Sequence, residues 1–245
     1  MVRRARPCHA AHVTPTRLEL ADLTIRITGP SDAPVTCVLF HGFGAPGDDL
    51  VALAAELDAP ARLVFPEAPL SLGGLYGDSR AWWLLDLARL EDELRRGVPR
   101  DRRAEIPDGL AEVRAQVIRL IEQLAARFAV APDRLVLGGF SQGAMLALDV
   151  ALHLPAPPAG LVLMSGTLIA ETAWQPRMAQ LAGVPVMLSH GRNDQLLPFS
   201  IAEVLRDRLV AAGAAVDWQP FAGGHEIPRA AIDAAGQLLR GIAAR

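Results

Sequence analysis

Gly139, Phe140, Ser141, Gln142 and Gly143 fill the pattern G-x-S-x-G in this 245-residue chain. They join a reactive hydroxyl to the backbone freedom that a sharp turn needs. The apolar stretch "RLVLGGF" before the serine reads as a strand, and "QGAMLALDVALHL" after it reads as a helix. A serine at such a turn projects its hydroxyl beyond the carboxyl end of the strand. There the first helical turn offers free N–H groups and a positive dipole end. A plainer reading is that the glycines only permit tight packing. Partners elsewhere in the chain decide between the two.

A serine hydroxyl is a weak nucleophile until a base takes its proton. Of the six histidines, His9 and His12 lie in the N-terminal segment and His153 falls late in a helix. His190 ends a strand and His41 begins a turn, places that read as structural. His225 differs, because "FAGGHEIP" sets it in a loop straight after the last strand, where Gly223 and Gly224 allow close approach to the serine turn. An acid should orient the imidazole and stabilise its charged form. "SHGRNDQLLP" supplies Asp194, again just past a strand, whereas Asp149 sits within a helix and Asp217 within a strand. The chain order Ser141, Asp194, His225 is the order of a nucleophile, acid and base on a doubly covered sheet. Amide donors for an oxyanion should come from Gln142, next to the serine, and from Phe43 in "HGFGAPGDD".

These residues need strands to carry them to one edge. "RLELADLTIRITG" reads as an edge strand pair turning near Ala21 and Asp22, and "VTCVLFHG" as a strand buried on both faces. A helix from Asp48 or Asp49 to about Leu57 and the strand "ARLVFPEAP" follow. Leu110, Val113, Val117, Leu120, Ile121 and Leu124 then line one face of a helix, with Asp108 as its expected cap. Beyond Ser141 come strands "GLVLMSG" and "VPVMLSHG", a helix from about Phe199 to Ala212, strand "AVDWQPF" and a helix from about Ile227. The alternation predicts an α/β fold: a mostly parallel sheet with helices on both faces, as one domain over residues 1–245. Residues 1–16 read as a flexible N-terminal extension, and 73–106 as an irregular insertion with a charge-dense end.

The chain is 51% hydrophobic, enough for a sizeable core, and its formal net charge of −3 leaves no basic surplus for nucleic acid. All 24 basic residues are arginine, so lysine chemistry is absent. Cys8 and Cys37 are too few for a disulfide framework or a cysteine zinc site, and they suit a reducing cytoplasm. The basic N-terminus lacks the apolar run of a signal peptide, and no stretch approaches a membrane span. No His/Cys/Asp spacing reads as a metal site, and no cofactor is expected.

"LFHGFGAPGDDL", "GGFSQGAMLAL", "HGRNDQLLP" and "GGHEI" together resemble the phospholipase/carboxylesterase branch of the α/β-hydrolases, from about Val35 to the C-terminus. The resemblance implies a metal-independent serine hydrolase of esters or thioesters, with nucleophile Ser141, acid Asp194, base His225 and oxyanion donors Phe43 and Gln142. It leaves a homodimer open. A carboxylesterase is the leading expectation, and an acyl-protein thioesterase or lysophospholipase with the same triad is the nearest rival. An acyltransferase, or a non-catalytic receptor on the same fold, is further off. The chain departs from the family's tryptophan–aromatic–aspartate run, because "AWWLLDL" moves Asp86 three residues beyond Trp83. Leu75, Tyr76, Trp82, Trp83, Leu84 and Leu85 are expected to wall the acyl pocket, with the arginine-rich stretch 95–103 over it as a mobile flank; the plainer alternative is that Trp82 and Trp83 pack under the edge of the sheet.

Overall fold

The computed structural model describes residues 15–73, 77–97 and 101–245. Among them eight strands form one sheet: β1 (Thr16–Leu20), β2 (Leu23–Thr28), β3 (Val35–Phe40), β4 (Ala61–Pro66), β7 (Leu135–Phe140), β8 (Gly160–Met164), β9 (Pro185–Gly191) and β10 (Ala215–Phe221). Two short strands, β5 (Leu70–Ser71) and β6 (Arg80–Ala81), pair separately. The main sheet runs in the order β1-β2-β4-β3-β7-β8-β9-β10. The first two strands are antiparallel to their neighbours and the rest are parallel. This is the mostly parallel sheet that the alternation of elements predicts, and the arrangement that the resemblance to the α/β-hydrolases implies.

The core divides by strand periodicity. In β3 every residue is buried, and successive side chains serve opposite faces. Val38 and Phe40 join a cluster with α2 (Leu110–Phe128), α3 (Gln142–Ala151) and α5 (Phe199–Ala211). Val35, Cys37 and Leu39 join the other, with α6 (Arg229–Ala243) and the 3-10 turn Asp49–Ala55. Cys37 is a free thiol, and burial pushes it up to about 12, so it packs as a small apolar group. The six apolar residues predicted for one face of α2 are the six it buries.

Its cap is a correction. Asp108 does not cap α2. Gly109 occupies the position at φ 85° with no side-chain bond, a conformation that a glycine reaches without strain. The stretch read as irregular also contains order: α1 (Leu87–Arg96) starts after Asp86, whose Oδ1 accepts the Arg89 amide at 2.9 Å. The short helix α4 (Glu171–Trp174) ties the helical layer together. Trp174 Nε1 and Arg114 both donate to Asp149, at 2.8 and 3.2 Å. Burial raises this carboxyl despite those donors.

Candidate active site

Ser141 stands between β7 and α3 at φ 54°, ψ −116°, a region that costs a non-glycine residue about 1–3 kcal/mol. Neighbouring strands hold it there. Its amide donates to the Met164 carbonyl of β8 at 2.9 Å, and its own carbonyl accepts from Ala144 at 3.0 Å. The turn also needs room: a Cβ on Gly143 would overlap the Phe40 and His41 carbonyls of the adjacent strand end. The motif's second glycine therefore lets α3 descend onto the end of β3.

The loops after β9 and β10 are laced together. The Arg192 amide donates to the Phe221 carbonyl and the Asn193 amide to the Gly223 carbonyl, each at 2.9 Å. This lacing brings Asp194 to His225, with Nδ1 and Oδ2 2.7 Å apart. Asp194 Oδ1 accepts the amides of Leu196 and Leu197, both at 2.8 Å. Burial works to raise the Asp194 carboxyl. The bond from His225, the Leu197 amide and the nearby imidazoles outweigh it and hold the group below its ordinary value. The His225 ring lies 4.8 Å from that of Phe140, the residue before Ser141. The Asp194 side chain is closed to solvent, while His225 keeps 14% of its side chain exposed.

The loop after β3 borders the same turn. A Cβ on Gly42 would stand 3.5 Å from Ser141 Cβ, so Phe43 follows directly beside the serine. The loop is pinned on one side by Gly44 N–H to the Arg80 carbonyl (2.8 Å) and Arg80 N–H to the Ala45 carbonyl (3.0 Å). Glu67 holds Arg80 from beneath at 2.7 Å. His41 is neutral: burial lowers it, Nε2 accepts the Ala68 amide at 3.1 Å, and Nδ1–H donates to the Gly42 carbonyl at 2.8 Å. It is structural, as its place in the turn implied.

Gln142 does more than follow the serine. Its buried side chain accepts the Trp82 amide through Oε1 and donates to the Trp83 carbonyl through Nε2, both at 2.9 Å. Trp82 Nε1–H in turn donates to the His41 carbonyl at 2.9 Å. The elbow, the 82–83 segment and the loop carrying Phe43 thus form one closed circuit. Spacing along the chain gives no sign of it. Ser165, at φ 49° past β8, was also missed: its Oγ donates to the Glu226 carbonyl at 3.1 Å, beside His225.

The expected pocket wall needs correcting. Trp82 and Trp83 are each 1% exposed and pack in the core, as the plainer alternative has them. The next residues, Leu84 and Leu85, are exposed. Leu75 and Tyr76 lie outside the described residues. The charged stretch is tethered: Arg102 pairs with Glu93 and Glu105, and Arg103 with Asp101. Its backbone carries the start of α4, with Ala170 N–H on the Glu105 carbonyl at 2.9 Å. Among the described residues, no three His, Cys, Asp or Glu side chains stand together as a metal site would need.

The family model described as phospholipase/carboxylesterase matches residues 25–241. Acyl-protein thioesterase 1 of Eremothecium gossypii is 31% identical over 201 residues, covering 76% of this chain and 77% of that protein. Esterase YjfP of Escherichia coli is 25% identical, covering 91% of this chain and 96% of that one. The crystal structure of esterase PE8 superposes with a TM-score of 0.74 at 28% identity, covering 90% of this chain and 99% of its own.

Proposed function

We propose a mechanism from one premise: this chain belongs to the phospholipase/carboxylesterase family of α/β-hydrolases and is a serine hydrolase of carboxylic esters. In our reading Ser141 is the nucleophile, His225 the base and Asp194 the acid that orients it. The observation that carries this is the 2.7 Å contact between His225 Nδ1 and Asp194 Oδ2, with the His225 ring 4.8 Å from that of Phe140, which precedes a serine held at φ 54° on a strand-to-helix turn. Asp194 accepts a hydrogen bond from Nδ1–H, which leaves Nε2 free to take the Ser141 proton. Ser141 Oγ attacks the ester carbonyl, and the charge that develops on its oxygen is met by the amides of Phe43 and Gln142. His225 returns the proton to the leaving alcohol. Water then enters and gives a proton to His225 as its hydroxyl attacks the acyl carbon, and His225 passes that proton to Ser141 Oγ as the bond to the acid breaks.

An acyl thioester would follow the same steps with a thiol leaving, and the similarity to an acyl-protein thioesterase favours testing it as the second substrate class. We read the chain as one hydrolase domain, supported by a family match over residues 25–241. We place the enzyme in the cytoplasm, with no nucleic-acid partner, a reading supported by the net charge of −3 and the free Cys37. No helix among the described residues is long and apolar enough to cross a membrane.

A fluorophosphonate probe tests the assignment directly. Intact mass should show one adduct on the wild-type protein and none on Ser141→Ala. Labelling that survives in the variant would remove Ser141 as nucleophile. Initial rates on p-nitrophenyl esters beside acyl-CoA substrates then separate ester from thioester preference.

A further inference from the structure

A second histidine, which the mechanism above does not use, touches the acid. His190, in β9, is fully buried. Its Nε2 lies 2.9 Å from the Leu197 carbonyl and 3.3 Å from Asp194 Oδ2. Nε2 carries the proton and donates to the Leu197 carbonyl, and Asp194 Oδ2 stands beside that bond as a close electrostatic neighbour. Burial lowers the imidazole and keeps it neutral, outweighing the Leu197 carbonyl and the Asp194 charge. The oxygen it meets is the one that accepts from His225. Two amides fill the other oxygen, so Asp194 accepts from three donors, with the His190 N–H close beside them.

We propose that His190 is a positioning residue for the acid: its Nε2–H, anchored on the Leu197 carbonyl 3.3 Å from Asp194 Oδ2, sets a positive dipole beside the oxygen that accepts from His225 and so governs how strongly that oxygen holds the His225 proton. The proposal rests on the reading of Asp194 and His225 as acid and base. A donor on a carboxylate stabilises the anion and lowers its basicity, which weakens what it offers to a charge forming on the neighbouring imidazole. His190 thus restrains the pair from trapping a proton on His225. By bonding the Leu197 carbonyl it also closes the turn whose amides hold Oδ1. Among the described residues, the titratable groups bearing on His190 are Asp194 on its own loop and His225 on the loop after β10. From α5, Phe199 packs against its ring at 6.2 Å, and Arg192 stacks on the Phe199 ring at 5.0 Å.

Two variants separate reach from polarity. His190→Gln can place an amide nitrogen where Nε2 stood, whereas the shorter His190→Asn reaches only the position of Nδ1. In profiles of kcat/KM against pH with a p-nitrophenyl ester, His190→Asn should move the apparent pKa up by about 0.5–1 unit. His190→Gln should keep the wild-type value. An unmoved or lowered pKa in His190→Asn, or the same shift in both variants, overturns the proposal. A measurement on the wild-type protein needs no variant to fold. Nitrogen-15 NMR of the imidazoles should find His190 as the neutral Nε2–H tautomer. The Nδ1–H tautomer would overturn the proposal equally. Fluorophosphonate labelling tells the two failures apart. A wild-type protein that takes no probe counts against the catalytic reading, whereas normal labelling with an unmoved pKa counts against His190 alone.

Discussion

Asp194 is the residue on which the site turns, because it is sealed from solvent and has donors on both oxygens. A carboxylate so placed stays ionised and holds the His225 ring in one orientation, which in the proposed mechanism serves Ser141. Groups that act as one unit fail together. Ser141→Ala and His225→Ala should each lower kcat by several orders of magnitude, with the double variant little worse than either. Asp194→Asn should cost less than either, since His225 keeps its base nitrogen but loses its orienting charge. Steady-state kinetics on the four variants checks this. Losses that multiply in the double variant would mean that His225 does not serve Ser141.

At the scale of elements, the circuit from Gln142 through Trp82 and Trp83 to His41 ties the serine turn to the strand end before Phe43, the two segments that carry the proposed oxyanion amides. Gln142→Ala keeps the backbone amide but strands the buried Trp82 N–H and Trp83 carbonyl. Each unsatisfied group costs about 1–3 kcal/mol. We expect kcat to fall with KM little changed, because the loss is felt where charge develops rather than where substrate binds. A rise in KM at unchanged kcat would place the side chain in substrate binding instead. Trp83→Ala should open a core cavity and cost about 3–5 kcal/mol, read as a lowered Tm. The preference among acyl chain lengths should stay as it was, because the ring faces the core. A changed preference would return Trp83 to the pocket wall.

Over the whole molecule, buried neutral histidines tie stability to pH. His41 and His190 are both lowered by burial, so the unfolded chain takes up their protons first as pH falls. A group lowered in this way contributes stability that is fully present above the ordinary histidine value of about 6.5 and declines as pH falls below it. The Tm should therefore drop between about pH 7 and 5, before the carboxylates titrate, and drop less steeply in His190→Gln. Equal slopes in the two proteins would show that His190 takes up its proton as readily folded as unfolded. Much of this architecture is legible along the chain. Strand and helix order, the buried face of α2 and the serine turn follow from periodicity and glycine placement, which act over a few residues. The loop positions of Asp194 and His225 are legible for the same reason, since both follow strand ends. Other features are not. The Trp82–Gln142 bond joins residues 60 apart, the glycine cap of α2 displaced a plausible aspartate, and the tryptophans turned inward although their neighbours Leu84 and Leu85 face out. His190 has the form of a strand-end core residue, and only the packing of two loops sets it against the acid. Sequence by itself determined which short segments form and which residues lie at strand ends, because those depend on local backbone preference and apolar spacing. Tertiary structure alone decided who bonds to whom, because a buried donor takes whichever acceptor the folded sheet brings within reach.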